Sequence, residues 1–367
     1  MMGRKKWLIF IFLALAGGAM LASHIGAKMI VLTSETPSPE MATKGYVGPQ
    51  KCAECHQAIY NDYRATAHPY KLRPVEEARI AGLPLPEGYT WDDISYVIGG
   101  RRWKSRYVGK DGYIITITGK NRNVKGKNQY NLATGAWVDY HPGEKKPYDC
   151  GRCHTTGYSK EGHQDGLEGI IGAWALPGIT CEACHGPGKD HAKAPAKANI
   201  KKDASSAACG KCHIRGDKNK IPASKGFIRH HEQYNELLAS PHKDMKCVEC
   251  HNPHKPLRSA IVADCSSCHG DVAKEFKGSK MQRVGKECED CHMPRASKSA
   301  VSPAKWQGDV RTHLFEINTD PNAKMFTDDG KWAKGQLTLE FSCLQCHLDH
   351  DKAWAAQYAK KAHTIGK

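Results

Sequence analysis

Phenylalanine is scarce, with 7 in 367 residues, and aromatic residues of all kinds make up 8% of the chain. Apolar residues reach only 40% and the mean hydropathy is −0.59, too polar for a polytopic membrane protein. Long hydrophobic runs are missing too, apart from residues 7–22. No cysteine precedes Cys52, which excludes a lipidated N-terminal cysteine. Acidic residues are outnumbered, 38 against 54 Lys and Arg, giving a formal charge of +16. What is abundant instead is metal-ligand chemistry: 16 Cys and 20 His. Something other than aliphatic side chains must fill much of the interior.

Residues 1–32 open with Arg4, Lys5 and Lys6 and continue into the uncharged run, the pattern of a secretory signal. Cleavage after Ala27 has no Ala-x-Ala to support it, so an uncleaved anchor reaching Leu32 is the alternative, and either places the rest outside the cytoplasm. Residues 33–46, rich in Thr, Ser and Pro, read as a flexible tether.

Every cysteine belongs to a C-x-x-C pair, and every pair is followed directly by histidine. The motifs are Cys52, Cys55 and His56; Cys150, Cys153 and His154; Cys181, Cys184 and His185; and Cys209, Cys212 and His213. The second half adds Cys247, Cys250 and His251; Cys265, Cys268 and His269; Cys288, Cys291 and His292; and Cys343, Cys346 and His347. Two thiols one helical turn apart can add to the two vinyl groups of one haem, while the next His reaches its iron. Disulfide scaffolds and zinc ribbons also pair cysteines, but neither requires the following His. Eight covalently attached haems c, with their iron, are therefore expected. No pair ends in Lys, the signature of several multihaem reductases.

Outside the motifs and His24, eleven histidines remain to ligate the far side of eight irons. His68, His191, His231, His242, His254, His313, His350 and His363 are the candidates; His230 competes with His231, and His141 and His163 rank lower. His254 and His350 stand three residues beyond a motif His, on the near side of their own haem, and so should ligate a neighbour. A full set would make most haems bis-His, low-spin and suited to electron transfer.

The longest gap, Cys55 to Cys150, contains Tyr96, Val97 and Ile98, then Arg106, Tyr107 and Val108, and an Asp111-Gly112 turn before Tyr113. Alternation around that turn predicts a small β-hairpin element in an insert of about residues 89–140. Trp91, Trp103, Tyr107, Tyr113, Tyr130 and Trp137 are expected to pack there in preference to lining a substrate pocket. Elsewhere short helices are expected over residues 232–238 and 353–361, and a surface segment over residues 189–207. The fold class is mainly α with much irregular structure wrapped around a haem chain. It divides into tetrahaem halves at residues 47–216 and 217–367.

Residues 48–216 resemble the tetrahaem cytochrome c five-fifty-four family, which accepts electrons from hydroxylamine oxidoreductase. The resemblance rests on the Cys52 motif with Thr66, Ala67 and His68, on the run from Tyr148 to Tyr158, on the Cys181 motif between Leu176 and Gly188, and on the Cys209 motif. It implies that His68 faces the iron of His185 and His191 that of His56. It also implies that His230 or His231 serves the fourth haem, and that the haem on His154 is open unless His141 or His163 closes it. The second half is similar to several respiratory multihaem cytochromes without selecting one.

The function expected is electron transfer in anaerobic or extracellular respiration, between a quinol-linked donor and a terminal reductase or extracellular acceptor. An oxidoreductase acting on a small nitrogen or sulfur compound at one five-coordinate haem, and a subunit of an extracellular cytochrome filament, are the alternatives. Nucleic acid is not a required partner for the +16, because eight haems bring roughly −8 to −16 through their propionates and iron state. A chain whose core is mostly macrocycle should not fold without haem.

Overall fold

The computed structural model describes residues 44–367; the signal or anchor segment and most of the tether lie outside them. Among the described residues no helix is long and apolar enough to cross a membrane. Helices are short, strands are shorter, and much of the chain is irregular.

Among the described residues the longest helix, Pro49–Ala65, carries the first motif and starts on a proline whose missing N–H costs nothing in a first turn. Its backbone leaves helical geometry at His56 (φ −117°, ψ 41°), at the motif histidine itself. Several later motifs form isolated turns, such as Gly151–His154, Cys181–His185 and Cys288–His292.

The insert is larger than the expected hairpin. Strands β1 (Leu72–Pro74), β2 (Ile94–Gly99), β3 (Lys104–Gly109) and β4 (Tyr113–Ile114) lie side by side and antiparallel. A two-stranded pair, β5 (Ile117–Thr118) with β6 (Val124–Lys125), follows. β7 (Gln129–Asn131) and β8 (Ala136–Val138) extend the main sheet from β3, and β9 (Lys146–Pro147) closes on β4, making seven strands. The Asp-Gly turn sits where the alternation placed it: Gly112 has φ +83°, and its N–H donates to the Gly109 carbonyl at 3.0 Å. A side chain there would also strike the Ile170 backbone, at 2.8 Å. Glycine is thus fixed by conformation and by space.

This sheet owns a conventional core. Leu72, Ile98, Val108, Ile114, Tyr148, Ile170 and Trp174 form one cluster; Ala78, Ile94, Val97, Tyr107 and Ile115 form a second. Tyr107 packs against Trp137, and Tyr130 packs there too, so these aromatics fill space as expected.

β10 (Thr155–Thr156) and β11 (Leu176–Pro177) pair immediately behind the second motif. In the second half β12 (Ile221–Ser224) and β13 (Phe227–Arg229) form a hairpin, flanked by β14 (Ser297–Lys298) and β15 (Trp332–Ala333). Around it Ile221, Phe227, Ile228, Ala296, Leu314, Met325, Leu337 and Phe341 are buried together. Helices occur at Gln233–Ala239 and Lys352–Ala359, within a residue or two of the expected spans. The polypeptide is therefore more than wrapping, which corrects the expectation of a core made almost wholly of macrocycles.

Trp174 is fully buried between the rings of Tyr96 and Tyr148, at 5.5 and 5.9 Å. Trp174→Ala should cost about 3–5 kcal/mol, seen as a lowered unfolding midpoint in the haem-loaded protein. A shift equivalent to under about 1 kcal/mol would show that this cluster contributes little to stability.

Candidate haem centres

In each motif a single turn presents both sulfurs and the imidazole. Backbone bonds from His213 to Cys209, His251 to Cys247, His269 to Cys265 and His347 to Cys343, at 2.9–3.1 Å, hold each histidine one turn beyond its first cysteine. Residues three apart share a helix face, so the two thiols point the same way.

Opposite these histidines lie others from distant segments. His56 faces His191 at 6.4 Å between ring centroids, His154 faces His231 at 6.5 Å, and His185 faces His254 at 6.0 Å. His213 faces His68 at 6.4 Å, His251 faces His313 at 6.1 Å, and His269 faces His242 at 5.8 Å. His292 faces His363 at 6.0 Å, and His347 lies 6.2 Å from His350. A metal–imidazole bond of about 2 Å on each side of one iron puts ring centroids about 6 Å apart. Interplanar angles range from 6° to 87°, which such a pair tolerates because each ring turns freely about its metal bond. The other seven pairs fit haem, whereas at His347 and His350 the Trp354 indole stacks on His350 at 3.9 Å.

Two pairings differ from those implied by family resemblance. His68 faces His213 instead of His185, which faces His254; the His three residues past one motif thus lies opposite another motif's histidine. His231 faces His154, where the resemblance implied an open haem unless His141 or His163 closed it. Neither His141 nor His163 takes part: His141 bonds Glu144 at 2.6 Å and His163 bonds the Ile170 carbonyl at 2.7 Å. His230 packs beside His231 at 4.4 Å, without a motif histidine opposite.

Neighbouring groups hold the rings in a ligating tautomer. The Lys201 carbonyl accepts from His185 Nδ1 at 2.7 Å, the Phe315 carbonyl from His292 Nδ1 at 2.9 Å, and Gln233 Oε1 from His213 Nδ1 at 3.1 Å. Each bond leaves Nε2 bare for a metal. Burial drives His68 and His154 down to about 3, keeping both imidazoles neutral.

Several supporting residues were invisible to motif reading. Glu182, inside the third motif, accepts backbone N–H groups from Val47, Gly48 and Gly188 at 2.8–2.9 Å, tying the first motif's helix to the turn before His191. Buried Glu236 accepts from the Thr312 hydroxyl at 2.9 Å and from the His313 backbone, orienting the loop that carries His313. Four buried or half-buried cations, Lys71, Lys104, Arg106 and Arg215, surround His154, His230 and His231. Burial, with repulsion from Arg106, pushes Lys104 down to about 7. Such a cluster calls for anions, which haem propionates supply.

The cysteines of different motifs also meet. Cys52 contacts Cys181, Cys153 contacts Cys212, Cys209 contacts Cys247, and Cys265 contacts Cys288. Cys184 lies near Cys209 and Cys212, Cys250 near Cys268, and Cys291 near Cys343. The attachment points thus run from motif one through three, four, five, six and seven to eight, with motif two branching at motif four.

The chain is a multihaem c-type cytochrome. Its C-x-x-C-H motifs bind haem c covalently, eight by count. Residues 258–366 match the family model of outer membrane cytochrome MtrC/MtrF-like, domains II/IV, and residues 119–186 that of cytochrome c554 and c-prime. The second match falls inside the stretch whose motifs resemble that family. The chain is 21% identical to the dissimilatory sulfite reductase MccA of Wolinella succinogenes, over 76% of this chain and 56% of that protein. It is 25% identical to the multiheme cytochrome MtrA of Shewanella baltica, over 54% and 52%. The chain spans about half the length of these two relatives. The outer cell wall cytochrome OcwA shares the fold at a TM-score of 0.62 and 20% identity, covering 86% of both chains. The octaheme sulfite reductase structure gives the same score at 17% identity, over 82% of this chain and 65% of that one.

Gly178 holds a backbone φ of +73°, where an added Cβ would come within 2.1 Å of the Pro69 carbonyl oxygen, next to His68. Gly178→Ala should displace His68 and turn part of the iron on His213 high-spin, read by EPR of the ferric protein. His68→Ala should do so fully, and His163→Ala should leave the spin count unchanged; the reverse pattern would break the pairing.

Proposed function

We propose that the chain is an exported carrier passing electrons along eight covalently bound, mostly bis-His haems in anaerobic or extracellular respiration. The observation that carries this reading is the unbroken succession of neighbouring attachment cysteines from Cys52 to Cys343. Bound haem supplies reversible one-electron chemistry; the chain's residues hold it at each motif, keep the distal imidazoles neutral and offset propionate charge.

In this reading the 16 motif cysteines attach haem and the eight motif histidines are proximal ligands. His56 pairs with His191, His154 with His231, His185 with His254, and His213 with His68. His251 pairs with His313, His269 with His242, and His292 with His363. The tetrahaem halves, residues 47–216 and 217–367, act as one conduit, since Cys209 and Cys247 meet across their boundary. Placement in the periplasm or at the cell exterior agrees with the signal-like residues 1–32 and with relatives described as outer cell wall and outer membrane cytochromes. The partners are then a quinol-linked donor and a terminal reductase or extracellular acceptor.

A second reading, reduction of a small sulfur or nitrogen compound, draws on the fold shared with an octaheme sulfite reductase. Protein-film voltammetry separates the two. A carrier should show reversible uptake of about eight electrons per chain over a broad range of low potential. Catalytic current on adding sulfite, nitrite or hydroxylamine would overturn the carrier reading in favour of an enzyme.

A further inference from the structure

Three neighbouring histidine pairs, at motifs five, six and seven, are touched by one short loop, residues 311–316. Arg311 donates to the Met293 carbonyl at 3.0 Å, to the Glu289 carbonyl and to Asp290 Oδ1 at 2.8 Å, which ties the loop to the turn Cys288–His292. Thr312 and the His313 backbone are held by Glu236, and Leu314 is fully buried in the second-half core. The next residue, Phe315, meets all three pairs. Its carbonyl accepts from His292 Nδ1 at 2.9 Å. Its ring lies 4.5 Å from that of His242 and 6.1 Å from that of His313, edge to face at 76° and 90°. His242 is the ring that faces His269, and His313 the one that faces His251.

These three imidazoles are not held in the same way. The Phe315 carbonyl fixes His292 through Nδ1, as the Lys201 carbonyl fixes His185. Nδ1 of His242 and of His313 has no hydrogen-bond partner; Glu236 stands 3.8 Å from His313 Nδ1, beyond hydrogen-bond reach. Without that bond an imidazole can turn about its axis, so packing must set its plane. The Phe315 ring packs against both, in the perpendicular geometry that aromatic quadrupoles favour.

The backbone shows that this placement is strained. Phe315 has a φ of +62°, and the Glu316 N–H donates to the Leu314 carbonyl across it at 2.7 Å, a γ-turn of the rare hand. Glycine would take that conformation freely, whereas a bulky residue there is an outlier. Apolar burial alone does not explain the choice, because Phe315 is only half-buried and its neighbour Leu314 already fills the core. Strain of this kind persists where the surroundings hold the residue in place.

We propose that Phe315 is a positioning residue for three centres at once: its ring sets the planes of the His242 and His313 imidazoles, and its carbonyl sets the tautomer of His292. The proposal deepens the electron-transfer reading and rests on its histidine pairs. Ligand orientation and hydrogen bonding are levers on haem potential, so one residue ties together the potentials at motifs five, six and seven.

The test uses the haem-loaded protein. Phe315→Gly removes the ring while keeping the turn, now unstrained, and the carbonyl that holds His292. Ferric EPR should show changed g-values for two low-spin irons per chain, and the same two should shift in an EPR-monitored redox titration, at full haem content. Phe315→Leu, which keeps apolar volume without a flat face, should change the same two signals, and Phe315→Tyr should keep the original spectrum. Trp174→Ala, which lowers stability elsewhere, should change none of them. Unaltered g-values and potentials in Phe315→Gly or Phe315→Leu at full haem content would overturn the proposal. So would a change spread over all the low-spin signals or reproduced by Trp174→Ala, and so would loss of haem from both variants, which would mark Phe315 as a residue needed only for folding. Catalytic current in the voltammetry would overturn the carrier and leave these spectra as they are, so the two readings fail separately.

Discussion

The facing of imidazoles about 6 Å apart, ring to ring, is the constraint on which the rest of the molecule depends. Except at His347 and His350, the partners come from separate parts of the chain. His68 and His213 join the first helix to the fourth motif, and His185 and His254 join the two halves. Closing such loops costs chain entropy, which grows only slowly with loop length, and a metal bond across each pair would offset it. That is why short strands and single helical turns suffice between motifs. The hydrophobic clusters stabilise the regions where iron does not reach, chiefly the insert and the β12–β13 hairpin.

Charge follows from the same constraint. A protein that buries eight dicarboxylate cofactors has to bury cations with them, and the excess of 54 Lys and Arg over 38 acids meets that need. Lys71, Lys104, Arg106 and Arg215 converge around His154 and His231, and alone they would repel one another at severe cost. Propionates placed among them would pair with these cations and make them part of the haem seat.

Motif chemistry was almost wholly legible in the sequence, because covalent haem attachment demands a fixed local spacing that a linear pattern displays. The Asp111-Gly112 turn and the helix at Gln233–Ala239 were legible for the same reason, as local signals. Pairing across the irons was not. His68 opposite His213 depends on how segments 140 or more residues apart fold back, and no spacing rule encodes it. Family resemblance supplied His191 opposite His56 but misassigned His68, since the second half contributes His254 to a site that a tetrahaem chain would complete by itself. The seven-stranded sheet was underestimated because β7, β8 and β9 are two or three residues each, too short for alternation to show.

The order of attachment points bears on what the chain can do. Motif four has three neighbours, through Cys212 to motif two, Cys184 to motif three and Cys247 to motif five, so it is a junction. A linear succession needs no junction; the branch sets the second motif apart from the path between the first motif and the last. The second motif is also one around which cations gather, with Lys71, Lys104 and Arg106 near His154. The motif that stands off the main path is thus one whose buried surroundings call for bound anions, and local charge and topology are set by the same packing of segments.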